Sequence, residues 1–156
     1  MATKRDQPAP RPYGAFNFKV QFGEPKTGGG GPIDAGFSDV SGLGNEINYS
    51  EYRAGTDMVN TVMKVPNTNK LDEVTLKRGL IASTDIFDWI SAVRDGQYQP
   101  RTVTIVLLDE ARKEVLSLVL KNAQPKKWVG PTLAAKGGGE VAMEELHLVH
   151  EGIEYK

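Results

Sequence analysis

The sequence predicts a mainly β domain carrying one α-helix, and three observations lead there. Phe16, Phe18, Val20 and Phe22 alternate with Asn17, Lys19 and Gln21, and similar alternation recurs further along the chain. A period of two marks strands with one buried face. Glycine and proline number 17 and 9 in 156 residues, above their usual combined share of about 12%, as in turn-rich chains. Only one segment has the helical spacing of apolar residues.

The elements follow in order. Residues 1–14 form a flexible arm with Pro8, Pro10 and Pro12, and 15–156 form a single domain. The first strand covers Phe16 to Phe22. Residues 24–34 hold Gly28-Gly29-Gly30-Gly31-Pro32 and read as a surface loop. A short strand, Phe37 to Ser41, ends at Gly42. Gly44-Asn45 then suits a tight hairpin turn into a strand from Glu46 to Tyr52. Residues 53–61 form a polar loop around Gly55. Met63 to Val65 is a strand closed by Pro66-Asn67. Glu73 to Arg78 is a charged strand with Val74 and Leu76 inward. The helix is capped by Ser83 or Thr84, and Asp85 sits in its positive first turn. Ile86, Ile90 and Val93 form its apolar face, with Phe87 and Trp89 alongside. Arg94 and Gly96 suit its end.

Val103, Ile105 and Leu107 begin a strand whose other face carries Val106 and Leu108. After a polar turn from Asp109 to Lys113, Val115 to Leu120 is apolar on both faces. These two strands make a hairpin buried on both sides. Pro125 and Pro131 bracket a loop holding Trp128. Gly137-Gly138-Gly139 leads into a last long strand, Glu140 to His150. The expectation is seven or eight strands and no internal repeat.

Composition narrows the function. Lys plus Arg is 19 and Asp plus Glu is 20, a net charge of -1, which argues against nucleic acid or an anionic membrane as partner. The chain has no cysteine, which excludes disulfides, thiol catalysis and thiolate metal sites. No apolar run approaches the roughly 20 residues of a membrane span. Met1 to Asp6 lacks the apolar stretch of a secretory leader, Ala2 excludes myristoylation, and Tyr155-Lys156 is no prenylation box.

Motifs for chemistry fail on spacing. His147 and His150, three apart on a strand, point to opposite faces and supply too few ligands for a metal. Gly42-Leu43-Gly44 opens like a dinucleotide fingerprint, but Ile47 takes the third glycine's place and a strand follows. Gly28 to Gly31 lack the lysine of a phosphate loop. Gly36 to Val40 lacks the final glycine of a nucleophile elbow. Lys126-Lys127-Trp128 is the nearest approach to a nucleic-acid patch and reads instead as the packed rim of a barrel end. No carboxylate pair stands out as an acid and base. No catalytic, metal-binding or cofactor-binding residue is expected, and the chain reads as a non-enzyme.

The order of several segments carries a further signal. Gly36-Phe37-Ser38-Asp39-Val40-Ser41-Gly42-Leu43 precedes Glu51-Tyr52-Arg53-Ala54-Gly55. Leu76-Lys77-Arg78-Gly79 and Trp89 follow. Asn122-Ala123-Gln124-Pro125, Glu144-Glu145-Leu146 and His150-Glu151-Gly152 come last. This set, from about Phe16 to Ile153, resembles the tail tube protein family of contractile phage tails, which includes the inner tube proteins of extracellular contractile injection systems. The loop of Gly28 to Gly31 is not part of that pattern.

The resemblance implies two packed antiparallel sheets forming a small barrel or sandwich with one flanking helix, an Hcp-like tail tube fold. It implies a structural role: hexameric rings stacked into a hollow conduit inside a contractile sheath, delivering cargo through a target envelope. The implied partners are other copies of the chain, the sheath protein, the baseplate hub or spike, a tube-terminating cap, and cargo or a tape-measure protein in the lumen. No cofactor or membrane-spanning segment is implied. Assembly would occur in the bacterial cytoplasm, as part of a phage tail or a tail-like particle that is released. It also implies that the stretch from Tyr52 to Met58 lies in an extended loop reaching a neighbouring subunit or ring. Tyr49, Tyr52, Arg53, Gly55, Asp57 and Met58 are the contact candidates, since Tyr and Arg favour interfaces and Gly55 suits a sharp turn. The alternatives are the DNA-conducting tail tube of a contractile phage and, further from the pattern, a monomeric ligand-binding β-barrel.

Overall fold

The structure is a computed structural model that describes residues 12–23, 33–56, 58, 61–80, 84–137 and 140–156. Its elements are β1 (Phe18–Phe22), β2 (Ile33–Ala35), β3 (Asp39–Ser41), β4 (Asn45–Tyr52), β5 (Met63–Leu71), β6 (Val74–Gly79), α1 (Asp85–Arg94), β7 (Arg101–Leu108), β8 (Glu114–Val129), β9 (Met143–Val149) and β10 (Gly152–Tyr155). Every strand pairing is antiparallel. The expected class holds: mainly β, two antiparallel sheets and one helix. The sheets do not close into a barrel.

The long strand β8 belongs to both sheets. Its first half lies in the order β2-β1-β7-β8, with β10 on its other edge, and its second half continues through β9 and β6 to β3. The change occurs at Asn122, whose φ is +48°, a left-handed conformation that asparagine tolerates better than most residues. Its side-chain amide donates to Glu151 Oε2 at 2.7 Å, and the Glu151 N–H donates to the Lys121 carbonyl at 2.8 Å. The Asn122 and His150-Glu151-Gly152 segments thus meet at one bend. Beyond it, Pro125 lies next to a register shift, where a residue without an N–H is tolerated.

The core lies between the sheets. Val20, Phe22, Val74, Leu76, Val103, Ile105, Leu120, Leu146 and Leu148 are buried there with Ile86 and Trp89 of α1. Trp89 packs edge-on against Phe22 at 5.7 Å, and its indole N–H donates to the Gln99 carbonyl at 3.0 Å. The helix therefore points Ile86 and Trp89 inward, while Ile90 and Val93 are only half-buried. Thr84 is the N-cap residue but makes no side-chain cap bond; its hydroxyl donates to Asp88 at 2.9 Å.

Several expectations are corrected. Ten strands are present among the described residues. Ile33 and Asp34, expected in a loop, pair with β1. Phe16 is 74% exposed rather than inward. Gly44-Asn45 is no hairpin turn, because β3 pairs with β6 and β4 with β5. β5 runs on through Pro66, which sits beside a register shift opposite Tyr49. The 125–131 segment is strand up to Val129. The strand expected from Glu140 to His150 is β9, which starts only at Met143, and an unexpected strand, β10, follows it. Of the hairpin expected to be buried on both sides, Val106 and Val119 are buried on the second face but lie outside the core cluster, and Leu116 is half-buried. The 1–11 part of the arm, Gly28 to Gly31, and Ser83 lie outside the described residues.

Candidate functional site

The β4–β5 hairpin is the most distinctive feature of the surface. β3 and β6 meet with Ser41 opposite Thr75, and β4 and β5 take over in the same register with Asn45 opposite Leu71. The four strands are one long hairpin bent at Gly42–Gly44. Gly42 has φ +82°, and a Cβ there would lie 1.9 Å from the Glu73 carbonyl oxygen, so only glycine fits this corner. The Asp72 N–H donates to the Gly44 carbonyl at 3.2 Å. His150 Nε2 lies 3.2 Å from the Asp72 carbonyl and joins the hairpin's root to the end of β9.

Beyond the bend the hairpin stands away from the body. Among the described residues no third strand pairs with it, and every residue of β4 is exposed. Tyr49 is 55% exposed, Tyr52 60%, Met63 60% and Met58 fully. Polar groups hold its two strands together. Glu51 pairs with Lys64, Asn48 donates to Thr68 at 3.1 Å, and Asn67 donates to Ser50 at 3.0 Å. Unpaired strand edges and uncovered apolar side chains are features that natural proteins usually cover by contact with another chain.

The structure distributes the expected contact residues along this arm. Tyr49 and Tyr52 lie on opposite faces of β4. Arg53, Gly55 and Met58 lie in the connecting loop, and Asp57 is outside the described residues. Gly55 has no positive φ and a Cβ there would meet open space, so the turn itself does not require glycine. The two histidines do not converge. His147 lies 3.2 Å from the Thr75 hydroxyl and 3.4 Å from Glu145, whereas His150 meets the Asp72 backbone. Among the described residues no three His, Asp or Glu side chains are grouped to hold a metal.

The sequence reading missed a buried ion-pair cluster. Arg78 is 2% exposed. Its Nε donates to Glu144 Oε1 at 2.5 Å and its Nη2 to Asp85 Oδ1 at 2.8 Å. Its guanidinium lies 5.7 Å from the Phe37 ring centre. Glu144, also buried, accepts from the Trp128 indole at 3.1 Å. Burial opposes the charge on Arg78, but the bonds to Asp85 and Glu144 outweigh it and hold the pKa above its ordinary value. The cluster gathers Phe37, Arg78 and Glu144 from three of the segments that carry the family resemblance. A signal was present: Arg78 shares the inward parity of Val74 and Leu76.

A family model described as T4-like virus tail tube protein gp19 matches residues 14–154. No curated protein matches the chain. It is similar to a chain in the cryo-EM structure of the anti-feeding prophage baseplate, at 23% identity and a TM-score of 0.84, over 95% of this chain and 97% of that one. It is also similar to a chain of the PVC sheath–tube complex, an extracellular contractile injection system in its extended state. There the identity is 23% and the TM-score 0.81, over 100% and 99% of the two chains. Hcp1 from Flavobacterium johnsoniae matches at 10% identity and a TM-score of 0.57, over 90% and 94%. At these identities the likeness establishes the fold, including its Hcp-like character.

Proposed function

The chain belongs to the T4-like virus tail tube protein family, and from that premise we propose that it is the inner tube protein of a contractile injection system. Hexameric rings would stack into a hollow conduit, and shortening of a surrounding sheath would drive the conduit through a target envelope. The observation that carries this reading is the free β4–β5 hairpin, with apolar side chains that the monomer leaves in water. Contact with the next copy would cover it, and head-to-tail stacking does not close, so it produces a filament.

The partners are further copies of the chain, a sheath protein, a baseplate hub or spike, a tube-terminating cap and cargo in the lumen. Chains of similar fold occur in a sheath–tube complex, a baseplate and a tube-terminating cap. The role is mechanical, with no catalysis and no cofactor, and assembly takes place in the bacterial cytoplasm. The tail tube of a contractile phage, conducting DNA, is the second reading, favoured by the description of the family. Capsid and terminase genes beside this one would decide for the phage. An ATPase and toxin cargo without a capsid would decide for the device.

Negative-stain electron microscopy with light-scattering mass on the concentrated protein tests the tube role. Six-fold rings or stacked tubes are the expected result. A chain that stays monomeric at every concentration, even with preformed tubes added as seeds, overturns it.

A further inference from the structure

The turn between β7 and β8 and the segment leading into β1 enclose a groove of about 420 Å³. Pro12, Tyr13 and Phe16 line one wall, and Leu108, Asp109 and Glu110 line the other. Backbone bonds fix the walls. The Leu108 N–H donates to the Asn17 carbonyl at 2.8 Å, and the Asp109 N–H closes the turn on the Lys113 carbonyl at 2.9 Å. Tyr13 is 58% exposed and Phe16 74%. The Phe16 ring lies over Gly14, where a Cβ would come within 2.5 Å of it. Two aromatic side chains thus stand in water beside a turn that holds its shape.

The groove is acidic. Among the described residues its lining has two carboxylates, Asp109 and Glu110, and no cation; Arg112 and Lys113 of the same turn are not part of it. Asp109 Oδ1 accepts from the Lys113 backbone N–H at 2.8 Å. Neither carboxylate is in an ion pair among the described residues. The sequence that runs up to this wall has the complementary chemistry. Lys4-Arg5-Asp6-Gln7-Pro8-Ala9-Pro10-Arg11 holds three cations and one carboxylate. Its alternate prolines favour the extended polyproline conformation, which aromatic-lined grooves bind. Arg11 is joined directly to Pro12, itself part of the wall, so the chain delivers this segment to the groove at high effective concentration.

We propose that this groove is the docking site of the chain's own segment from Pro8 to Arg11, with the prolines seated against Tyr13 and Phe16 and the Arg11 guanidinium paired with Asp109 or Glu110. Burial of the two rings supplies the affinity, and the charge pairing sets the direction in which the segment lies. The contact is made within one chain, so it does not depend on the tube reading.

The absence of native cysteine makes introduced thiols unique reporters, and Ala111 lies in the groove lining. Ala9→Cys and Ala111→Cys are placed together in one full-length chain and, separately, in two chains that are then mixed. Both samples are mildly oxidised and run on non-reducing gels. The expected result is an intrachain disulfide in the doubly substituted chain and no linked dimer in the mixture. Adding Glu110→Lys or Phe16→Ser to the doubly substituted chain should slow that link about tenfold, with an unchanged far-UV circular dichroism spectrum. Both positions are exposed; if Phe16→Ser unfolds the chain, Glu110→Lys carries the comparison alone. Dimers that form in the mixture as fast as the intrachain link overturn the proposal, because a second copy's segment then fills the groove. No disulfide in either sample overturns it as well. So does an intrachain disulfide that neither substitution slows, since tethering alone then brings the thiols together.

Discussion

Arg78 shows how a single position decides between core and surface. It continues the inward parity of β6, yet it is a cation, and its burial is sustained only by Glu144 and Asp85. Removing one partner of a buried pair leaves the others uncompensated. Arg78→Met should therefore cost about 3–5 kcal/mol of folding stability, read from urea denaturation. Glu144→Gln leaves one carbonyl oxygen for two acceptor roles, so either Arg78 Nε or the Trp128 indole loses its acceptor, and it should cost about 1–3 kcal/mol. Equal losses from the two would mean that the charge of Glu144 matters more than its hydrogen bonds. The glycines make a second contrast at this scale. Gly42→Ala forces a left-handed residue and a clash with the Glu73 carbonyl, for a loss of about 1–3 kcal/mol. Gly55→Ala should stay within about 0.5 kcal/mol. Thermal melts of the two variants test this pair.

The hairpin belongs to the scale of the element. Its strands read clearly as alternating segments, but the alternation places apolar residues on both faces. Tyr49 and Ile47 lie on one face, and Tyr52, Met63 and Val65 on the other. A strand so written has no buried side in the single chain. Tyr49→Ser and Met63→Ser should each change monomer stability by less than about 0.5 kcal/mol, measured by denaturation of the dilute protein. Arg53→Glu should disturb stacking more than folding, and normal tubes from that variant would remove Arg53 from the interface. All three should reduce assembly when sedimentation is compared at equal concentration. A strong loss of folding stability instead would show that the hairpin supports its own body. Pro66 hid the length of β5 from the sequence reading, because a proline normally ends a strand. It is accommodated here beside a register shift on an arm whose edges are otherwise vacant.

The whole molecule is close to neutral, and several of its surface charges are paired. Lys126, Lys77 and Lys121 donate hydrogen bonds to Glu73, Glu145 and Glu154 respectively and hold these exposed carboxyls below their ordinary value of 4.5. A carboxyl whose folded pKa is lowered adds stability above the unfolded pKa and loses it as pH falls through the folded value. Stability should therefore be flat near neutrality with respect to these groups. It should decline once the pH drops below about 4.5, and the decline should weaken in high salt because the pairs are exposed. Melting temperatures at pH 7 and pH 3.5, with and without salt, test both statements. A low net charge also permits close stacking of like subunits, which suits a polymer built from many repeats of one contact.

The sequence by itself determined most of the strands, the one helix with Ile86 inward, and the inward parity of strands such as β1 and β6. It also held, in the order of short segments, the likeness to a tail tube family. These are local properties, written in the spacing of residues along one strand or one turn of helix. Tertiary structure alone decided that β3 pairs with β6 instead of folding back on β4, that β8 bends at Asn122 to serve two sheets, and that Phe37, Arg78 and Glu144 meet in one buried cluster. It alone showed that the hairpin stands free of its own body. Strand pairing joins residues far apart in the chain, and alternation says which face of a strand is apolar but not which strand lies beside it. The partner is chosen by the core as a whole, through the corner that only Gly42 permits and the register that carries one hairpin past the edge of the body.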